Sequence, residues 1–350
     1  MSTRKMIKSL VWIVALMTPV LIPSLGEAQV FVNNTGADSI TVYDFGATGD
    51  VAPLRVLSGA STGLNVANGI AIDRIHQELY VIPSFNRAAV TVFPLSAEGD
   101  VAPVRTLEGD NTELLEPAAI AVDPLNDELF VSESGIDSIL VFDRSASGDV
   151  APLRKIGGAK TGLVFNLAIF VDLAHDEIFI TSRSPNSIRV FDRLAEGDVA
   201  PIRTIEGASS LQTGTQWLFV STKYDEIYVG QRGLSSVAVY SRTASGDVAP
   251  IRRIFGVQAA IDSAQGVVLT QDDEILVNSE DLDTVSVFPR LGDGDIAPLR
   301  RIEGAATELN DPFSLASTNA AEDSAGFAGP LWIFYDGFES GDTSAWSSVQ

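Results

Sequence analysis

The amino-acid sequence predicts an all-β protein, a six-bladed β-propeller of four-stranded antiparallel blades. First, a Gly-Asp-Val/Ile-Ala-Pro-x-Arg phrase recurs every 48 to 50 residues. Second, each period holds four short apolar segments separated by turn residues. Third, no segment after the first 28 residues shows a helical period. Such a fixed period is typical of propeller blades. The six phrases begin at Gly49, Gly99, Gly148, Gly197, Gly246 and Gly294.

One period, residues 69–109, illustrates how each blade is built. Gly69–Asp73 is short, apolar and rich in β-branched residues, which predicts a first strand. Glu78–Ile82 follows after a polar turn as the second strand. Ala88–Phe93 alternates with period two and is the third. Pro103–Leu107, reached through the Gly-Asp turn, is the fourth.

The two ends of the chain are predicted to share one blade. Each strand class has six members, yet the chain opens on a second strand near Val30, and its last repeat ends on a first strand. We therefore expect residues 313–318 to supply the inner strand of the blade that Val30 begins. This pairing closes the ring and leaves no open sheet edge.

The repeated phrase is predicted to be structural. Gly49 and its equivalents permit positive φ in a turn, and the aspartate that follows can bond back to the backbone. Pro53 enters an outermost strand, where a missing N–H donor is tolerated. Arg55 and its equivalents are predicted to pair with acids that recur in the repeat, such as Glu128, Glu177 and Glu226.

The N-terminus is typical of a secretory signal peptide. Three basic residues precede the apolar stretch Leu10–Leu25, and Gly26-Glu27-Ala28 then offers small residues for cleavage after Ala28. The predicted organisation is a signal peptide at 1–28, the propeller at 29–318, and a linker with a C-terminal tail at 319–350.

The tail leaves two interpretations open. Residues 319–329 are rich in Ala, Gly and Ser, and the apolar run Leu331–Tyr335 follows. Residues 336–346 resemble a Gly-Phe-Glu-Ser-Gly-Asp phrase found near the C-termini of bacterial exported proteins. The tail is either a sorting or surface-retention segment or an extra strand that caps the propeller.

Composition excludes several classes of function. The chain has 23 Lys+Arg against 46 Asp+Glu, a net charge of −23 and a pI near 4.3. Nucleic-acid binding needs a basic surface, so it is excluded. The absence of cysteine excludes disulfides, a thiol nucleophile and thiolate metal sites. We expect a monomer with no transmembrane segment in the mature chain.

Several motifs resemble NHL-type propeller repeats. They are Thr62-Gly63-Leu64, Gly69–Asp73, Glu78–Val81 and a strand such as Ser138–Phe142. The resemblance covers about residues 29–318 and is strongest to bacterial secreted versions carrying the Gly-Asn/Asp-Val-Ala-Pro-x-Arg phrase. It implies that ligands bind on the face made by the blade-to-blade connections. Such propellers include binding scaffolds, lyases and lactonase-like hydrolases.

The candidate ligand-binding residues surround the predicted axis on that face. The starts of the first strands lie nearest the axis and carry amides and one carboxylate, while two arginines face them from loops. The set is Asn68, Asn166, Gln216, Trp217, Gln265, Asp311, Arg183 and Arg232. His76 and His175, the only histidines, fall in hairpin turns on the opposite face, which disfavours histidine-dependent lyase chemistry.

Two functions follow from these residues. The first is an exported, non-catalytic binding or scaffold protein that recognises a protein, a glycan or a small ligand without a cofactor. It would act in the periplasm, at the cell surface or outside a bacterium. The alternative is a lactonase-like hydrolase with Ca²⁺ or another divalent metal in the central channel. Asp311, the only carboxylate of the axial set, would be its metal ligand.

Overall fold

The computed structural model describes residues 28–83 and 87–321. The predicted signal segment up to residue 27 and the tail from residue 322 lie outside these residues. Within the described ranges, no helix is long and apolar enough to cross a membrane.

Six four-stranded antiparallel sheets form the blades of a six-bladed β-propeller, as the sequence predicts. Blade 1 has the strand order β24-β1-β2-β3, and each later blade uses four consecutive strands. The first seven strands are β1 (Gln29–Asn34), β2 (Ser39–Asp44), β3 (Arg55–Ser58), β4 (Ile70–Asp73), β5 (Glu78–Val81), β6 (Ala89–Pro94) and β7 (Arg105–Glu108). Blades 3 and 4 contain β8 (Pro117–Asp123), β9 (Glu128–Glu133), β10 (Ser138–Asp143), β11 (Arg154–Gly157), β12 (Asn166–Asp172), β13 (Glu177–Arg183), β14 (Asn186–Asp192) and β15 (Arg203–Ile205). The remaining strands are β16 (Thr215–Ser221), β17 (Glu226–Gln231), β18 (Ser236–Ser241), β19 (Arg252–Phe255), β20 (Ala264–Leu269), β21 (Glu274–Ser279), β22 (Thr284–Pro289), β23 (Arg300–Ile302) and β24 (Pro312–Ser317).

The predicted closure of the ring is confirmed. Strand β24 pairs antiparallel with β1, with Leu315 opposite Val32 and Ser317 opposite Val30. The first and last strands of the propeller therefore lie side by side in blade 1. The apolar core lies between neighbouring blades, where aromatic side chains such as Tyr80, Phe142 and Phe191 are almost fully buried.

The inner strands begin differently from the prediction. For blades 3 to 6 the sequence predicts starts near Ala119, Ala168, Trp217 and Gly266, whereas each strand begins two residues earlier and contains a β-bulge. In blade 5, Thr215 pairs with Gln231 and Leu218 with Val229, so Gln216 and Trp217 together oppose Gly230. A bulge adds one residue and redirects side chains. It therefore determines where Gln216 and Trp217 lie.

Each Gly-Asp turn joins its own blade to the preceding one. The Gly148 N–H, at φ 73°, donates to the Thr106 carbonyl of blade 2 at 2.7 Å. Asp149 Oδ1 accepts the backbone N–H of Asn111, in the connection that leaves blade 2, at 2.7 Å. The positive φ of the glycine is as predicted. The expected bond from the aspartate back to its own turn is wrong, because the neighbouring outer strand ends at this turn and offers free N–H groups. All six aspartates do the same: Asp50, Asp100, Asp149, Asp198, Asp247 and Asp295.

The predicted pairing of the phrase arginines is confirmed in five blades. Arg203, for example, contacts both carboxylate oxygens of Glu177 at 2.7 Å. A second arginine from the next blade, Arg242, donates to the same Glu177 at 2.9 Å. Blade 1 differs, since Arg55 donates to Gln29 at 2.9 Å instead. The recurring acids thus hold neighbouring blades together.

Candidate functional site

The propeller has two unlike faces. The connection face carries the blade-to-blade connections and the loops between second and third strands. The hairpin face carries the turns between first and second strands and the Gly-Asp turns. His76 and His175 lie on the hairpin face, where their Nδ1 atoms contact Asp73 Oδ2 at 2.7 Å and Asp172 Oδ2 at 2.8 Å. Each histidine is held by its own hairpin.

Four predicted residues come together on the connection face, beside blades 4 to 6. Arg183, at the end of β13, donates from Nη2 to Gln216 Oε1 at 2.9 Å. Gln265 Nε2 donates to Glu280 Oε2. Arg232 Nη2 lies 3.3 Å from the same oxygen. We call Arg183, Gln216, Arg232, Gln265 and Glu280 the arginine cluster. Glu280 is one of several acids that the sequence places in the loops between second and third strands, and it was not among the predicted ligand-binding residues.

The arginine cluster concentrates positive charge in an acidic chain. Partial burial, and then the nearby Arg232 charge, lower the pKa of Arg183, while Glu280 opposes the shift. An arginine in a protein stays protonated, so both guanidinium groups carry their charge. Glu280 pairs with Arg232, while Arg183 is held by the neutral amide of Gln216. Arg232 is 47% exposed and Glu280 17% exposed, so solvent reaches the cationic side. The cluster is suited to an anionic group.

Trp217 lies directly below the cluster and crosses the axis. A Cβ placed on Gly69 would lie 3.0 Å from Trp217 Cη2, so the indole of blade 5 reaches blade 2. Its ring meets Phe313 edge-to-face at 6.2 Å. Trp217 lines both a small pocket that Asn68 and Gln216 share and a larger cavity deeper in the channel. The indole therefore separates the connection face from the interior of the channel.

Asn68 and Asn166 do not join the cluster. Both are fully buried where neighbouring blades meet. Asn68 Nδ2 lies 3.5 Å from the Pro117 carbonyl of the next blade. The Asn166 carbonyl accepts a hydrogen bond from Ser134 Oγ at 2.5 Å, while its side-chain amide has no protein partner. Their place between blades indicates a structural contribution.

Asp311 lies at the exposed rim between blades 6 and 1. Its N–H donates to Asp283 Oδ1 at 2.7 Å, and its carbonyl accepts from the N–H of Thr35 at 3.1 Å. Among residues 28–83 and 87–321, no group of three or more His, Cys, Asp or Glu side chains is placed to hold a metal ion. Asp311 is therefore not part of a carboxylate group of that size, and its metal ligation stays a prediction.

Other loop carboxylates serve the backbone. Asp38 Oδ1 accepts the N–H of Val66 at 2.6 Å, and Asp137 Oδ1 accepts that of Phe165 at 2.9 Å. Glu133 accepts three backbone N–H groups. Burial raises the pKa of Glu133, and these hydrogen bonds oppose the increase. These acids fix the connections between blades.

Comparisons with known proteins show similarity in fold only. No protein-family model matches the chain, and no curated protein matches it. Among solved structures, the chain resembles a chain of the crystal structure of a nidogen/laminin complex, with a TM-score of 0.58 and 12% identity. The match covers 83% of this chain and 98% of the other. This similarity supports the six-bladed β-propeller fold.

Proposed function

We propose that this chain is an exported binding protein whose connection face recognises an anionic group on a protein, a glycan or a small ligand. The observation that carries the proposal is the arginine cluster. Arg232 pairs with the carboxylate of Glu280 and Arg183 with the amide of Gln216, so two guanidinium groups accompany one paired carboxylate in a chain whose net charge is −23. Guanidinium groups bind carboxylates and sulfates through paired, charge-assisted hydrogen bonds.

The surrounding acids sharpen the selectivity of this face. An anion is repelled by most of an acidic surface and attracted only where positive charge outweighs negative charge. Asp38, Glu133 and Asp137 bind backbone N–H groups of the blade connections, whereas Arg183 and Arg232 are the positive charges of the cluster. The buried Gln216 amide holds Arg183 in place through its Oε1 atom. The nidogen/laminin structure, one of the solved structures that this chain resembles, is a protein complex, which is consistent with a binding function.

The test is equilibrium binding to three polymers at matched ionic strength: polygalacturonate, poly-glutamate and neutral dextran. We expect binding to at least one of the two anionic polymers and none to dextran. The double variant Arg183→Gln/Arg232→Gln should weaken binding by at least about tenfold, because it removes two charge-assisted contacts.

The matched control is Arg87→Gln on the same face. Arg87 is 39% exposed and already pairs with Glu108 at 2.8 Å, so its loss should leave binding unchanged. Equal weakening by Arg87→Gln and by the double variant would show nonspecific charge attraction and contradict the proposal. Absence of binding to both anionic polymers would contradict it as well.

A further inference from the structure

The central channel contains an apolar cavity that opens on the hairpin face, opposite the arginine cluster. The space between its walls, together with the solvent at its open end, amounts to about 620 Å³. Its wall includes a ring of six aliphatic side chains at one equivalent position, one from each blade. They are Ile70, Ile120, Ile169, Leu218, Val267 and Leu315. Trp217 closes the far end, and Arg74, Ser317 and Ala320 lie at the mouth.

The walls of this cavity favour an apolar occupant over water. A water molecule needs two to four polar partners, and cavities lined by aliphatic side chains stay dry or take up apolar molecules. Leu218, Val268 and Leu315 are 6 to 7% exposed, so their remaining surface faces the cavity. Covering that surface with an alkyl chain is favourable.

Arg74 gives the mouth a charge. It follows Asp73 at the end of β4, where the other blades carry Pro124, Leu173, Thr222, Gln271 and Asn319. Arg74 is thus the one charged residue at this position of the repeat. Its Nη1 donates to the Thr318 carbonyl at 3.2 Å. Its Nε and Nη2 are buried without a hydrogen-bond acceptor, and unpaired buried donors on a cation are unfavourable.

We infer that this cavity binds an aliphatic carboxylate, with the alkyl chain along the propeller axis and the carboxylate against Arg74. The distance from Ile70 to Arg74 along the inner strand is about 13 Å, which suits an unbranched chain of about eight carbons. A carboxylate at the mouth would supply the acceptors that Nε and Nη2 lack, once the guanidinium turns toward it. This site is independent of the arginine cluster, since Trp217 lies between them.

The experiment is calorimetric titration of the purified full chain with octanoate, octanol and octylamine, each below its aggregation concentration. We expect octanoate to bind most tightly and octylamine most weakly. Arg74→Gln should weaken octanoate binding by at least about tenfold and leave octanol binding unchanged. Ile169→Phe, which fills the ring, should weaken both. An unchanged unfolding midpoint of Arg74→Gln confirms that the variant folds.

Three results would overturn the inference. The first is that none of the three ligands binds the full chain. The second is that Arg74→Gln weakens octanol as much as octanoate, because the arginine would then only shape the cavity. The third is that octanoate binds only after residues 330–350 are deleted. The apolar run Leu331–Tyr335 would then be the occupant of the cavity.

Discussion

The Gly-Asp turns at the outer edge of the propeller and the connection face are built from the same six repeats. The six copies are alike at the Gly-Asp turns and differ on the connection face. At the Gly-Asp turns, six aspartates hold six equivalent backbone N–H groups in the connections that leave the preceding blades. On the connection face, one bulge position holds Gln216 and Trp217 in blade 5, Gln265 and Gly266 in blade 6, and Leu167 and Ala168 in blade 4. The copies agree where blades must join and differ where a ligand would bind. Changes at the joints should therefore alter stability, and changes on the connection face should alter binding.

The largest expected effect is at a buried joint. Arg242 is 8% exposed and lies 2.9 Å from Glu177 and 3.6 Å from Asp172, whose side chains are 11% and 0% exposed. Arg242→Ala leaves buried carboxylates short of a partner, so it should lower the free energy of unfolding by about 3 to 5 kcal/mol. Urea unfolding measures this change. A loss below about 1 kcal/mol would mean that the blades join through their apolar cores alone.

A smaller effect is expected from two glycines at one joint. Gly109 has φ 132°, and a Cβ there would lie 2.4 Å from Asp149 Cγ, whereas Gly148 has φ 73° and nothing within 4 Å. Gly109→Ala should therefore cost about 3 kcal/mol, from backbone strain and displacement of Asp149. Gly148→Ala should cost about 1 kcal/mol, from the left-handed conformation. Equal unfolding midpoints for the two variants would mean that the bond between Asp149 and the preceding blade does not contribute to stability.

The pH dependence of stability tests the same joints at smaller amplitude. Hydrogen bonds from Arg105 lower the pKa of Glu78 from 4.5 to about 2; burial opposes this, and the Tyr80 hydroxyl and Arg144 reinforce it. A depressed folded-state pKa contributes stability above the unfolded value, and that stability is lost as pH falls from 4.5 toward 2. Glu78→Gln should reduce the dependence of the thermal unfolding midpoint on pH between 4.5 and 2. A wild-type slope retained by Glu78→Gln would assign the dependence to other acids.

The smallest effect on stability is expected on the connection face. Arg232 is 47% exposed and its ion pair with Glu280 is 3.3 Å long. Arg232→Gln should change the free energy of unfolding by less than about 0.5 kcal/mol. Thermal unfolding and polymer binding measured on one preparation separate the two consequences. If Arg232→Gln lowered the free energy of unfolding as much as Arg242→Ala, the connection face would contribute to stability as the joints do, which contradicts the expected difference.

The sequence predicts what the repeat controls. The period predicts blade number, strand order and the closing of blade 1 by β24, because strand counts must balance in a closed ring. It also predicts the arginine–glutamate pairs, since both partners recur at fixed positions. Arg183, Gln216, Arg232 and Gln265 were predicted as site residues from their expected nearness to the axis, and the fold brings these four together.

Features that depend on contacts between blades were not predicted. Gln216 and Trp217 take their places through a bulge, which is visible only in the pairing with β17. Trp217 meets Gly69 across the axis, and no local pattern relates two residues in opposite blades. Arg74 differs from its equivalents in the other blades, and aligning the six repeats would have marked it. Its significance depends on the cavity, which only the assembled ring defines.

The inter-blade bonds also affect the order of folding. Asp50, in blade 1, accepts the N–H of Ala306 at 2.6 Å, across 256 positions of the chain. The entropy of closing a flexible loop grows only with the logarithm of its length, so this contact costs about 1.5 kcal/mol more than one spanning a single repeat. Each Gly-Asp aspartate bonds to the chain that leaves the preceding blade. The bond of Asp50 therefore forms only after the last blade has been made. A chain that lacks its final repeat would leave the Asp50 carboxylate without its backbone N–H partner. We therefore expect cooperative unfolding of the whole ring only when the final repeat is present.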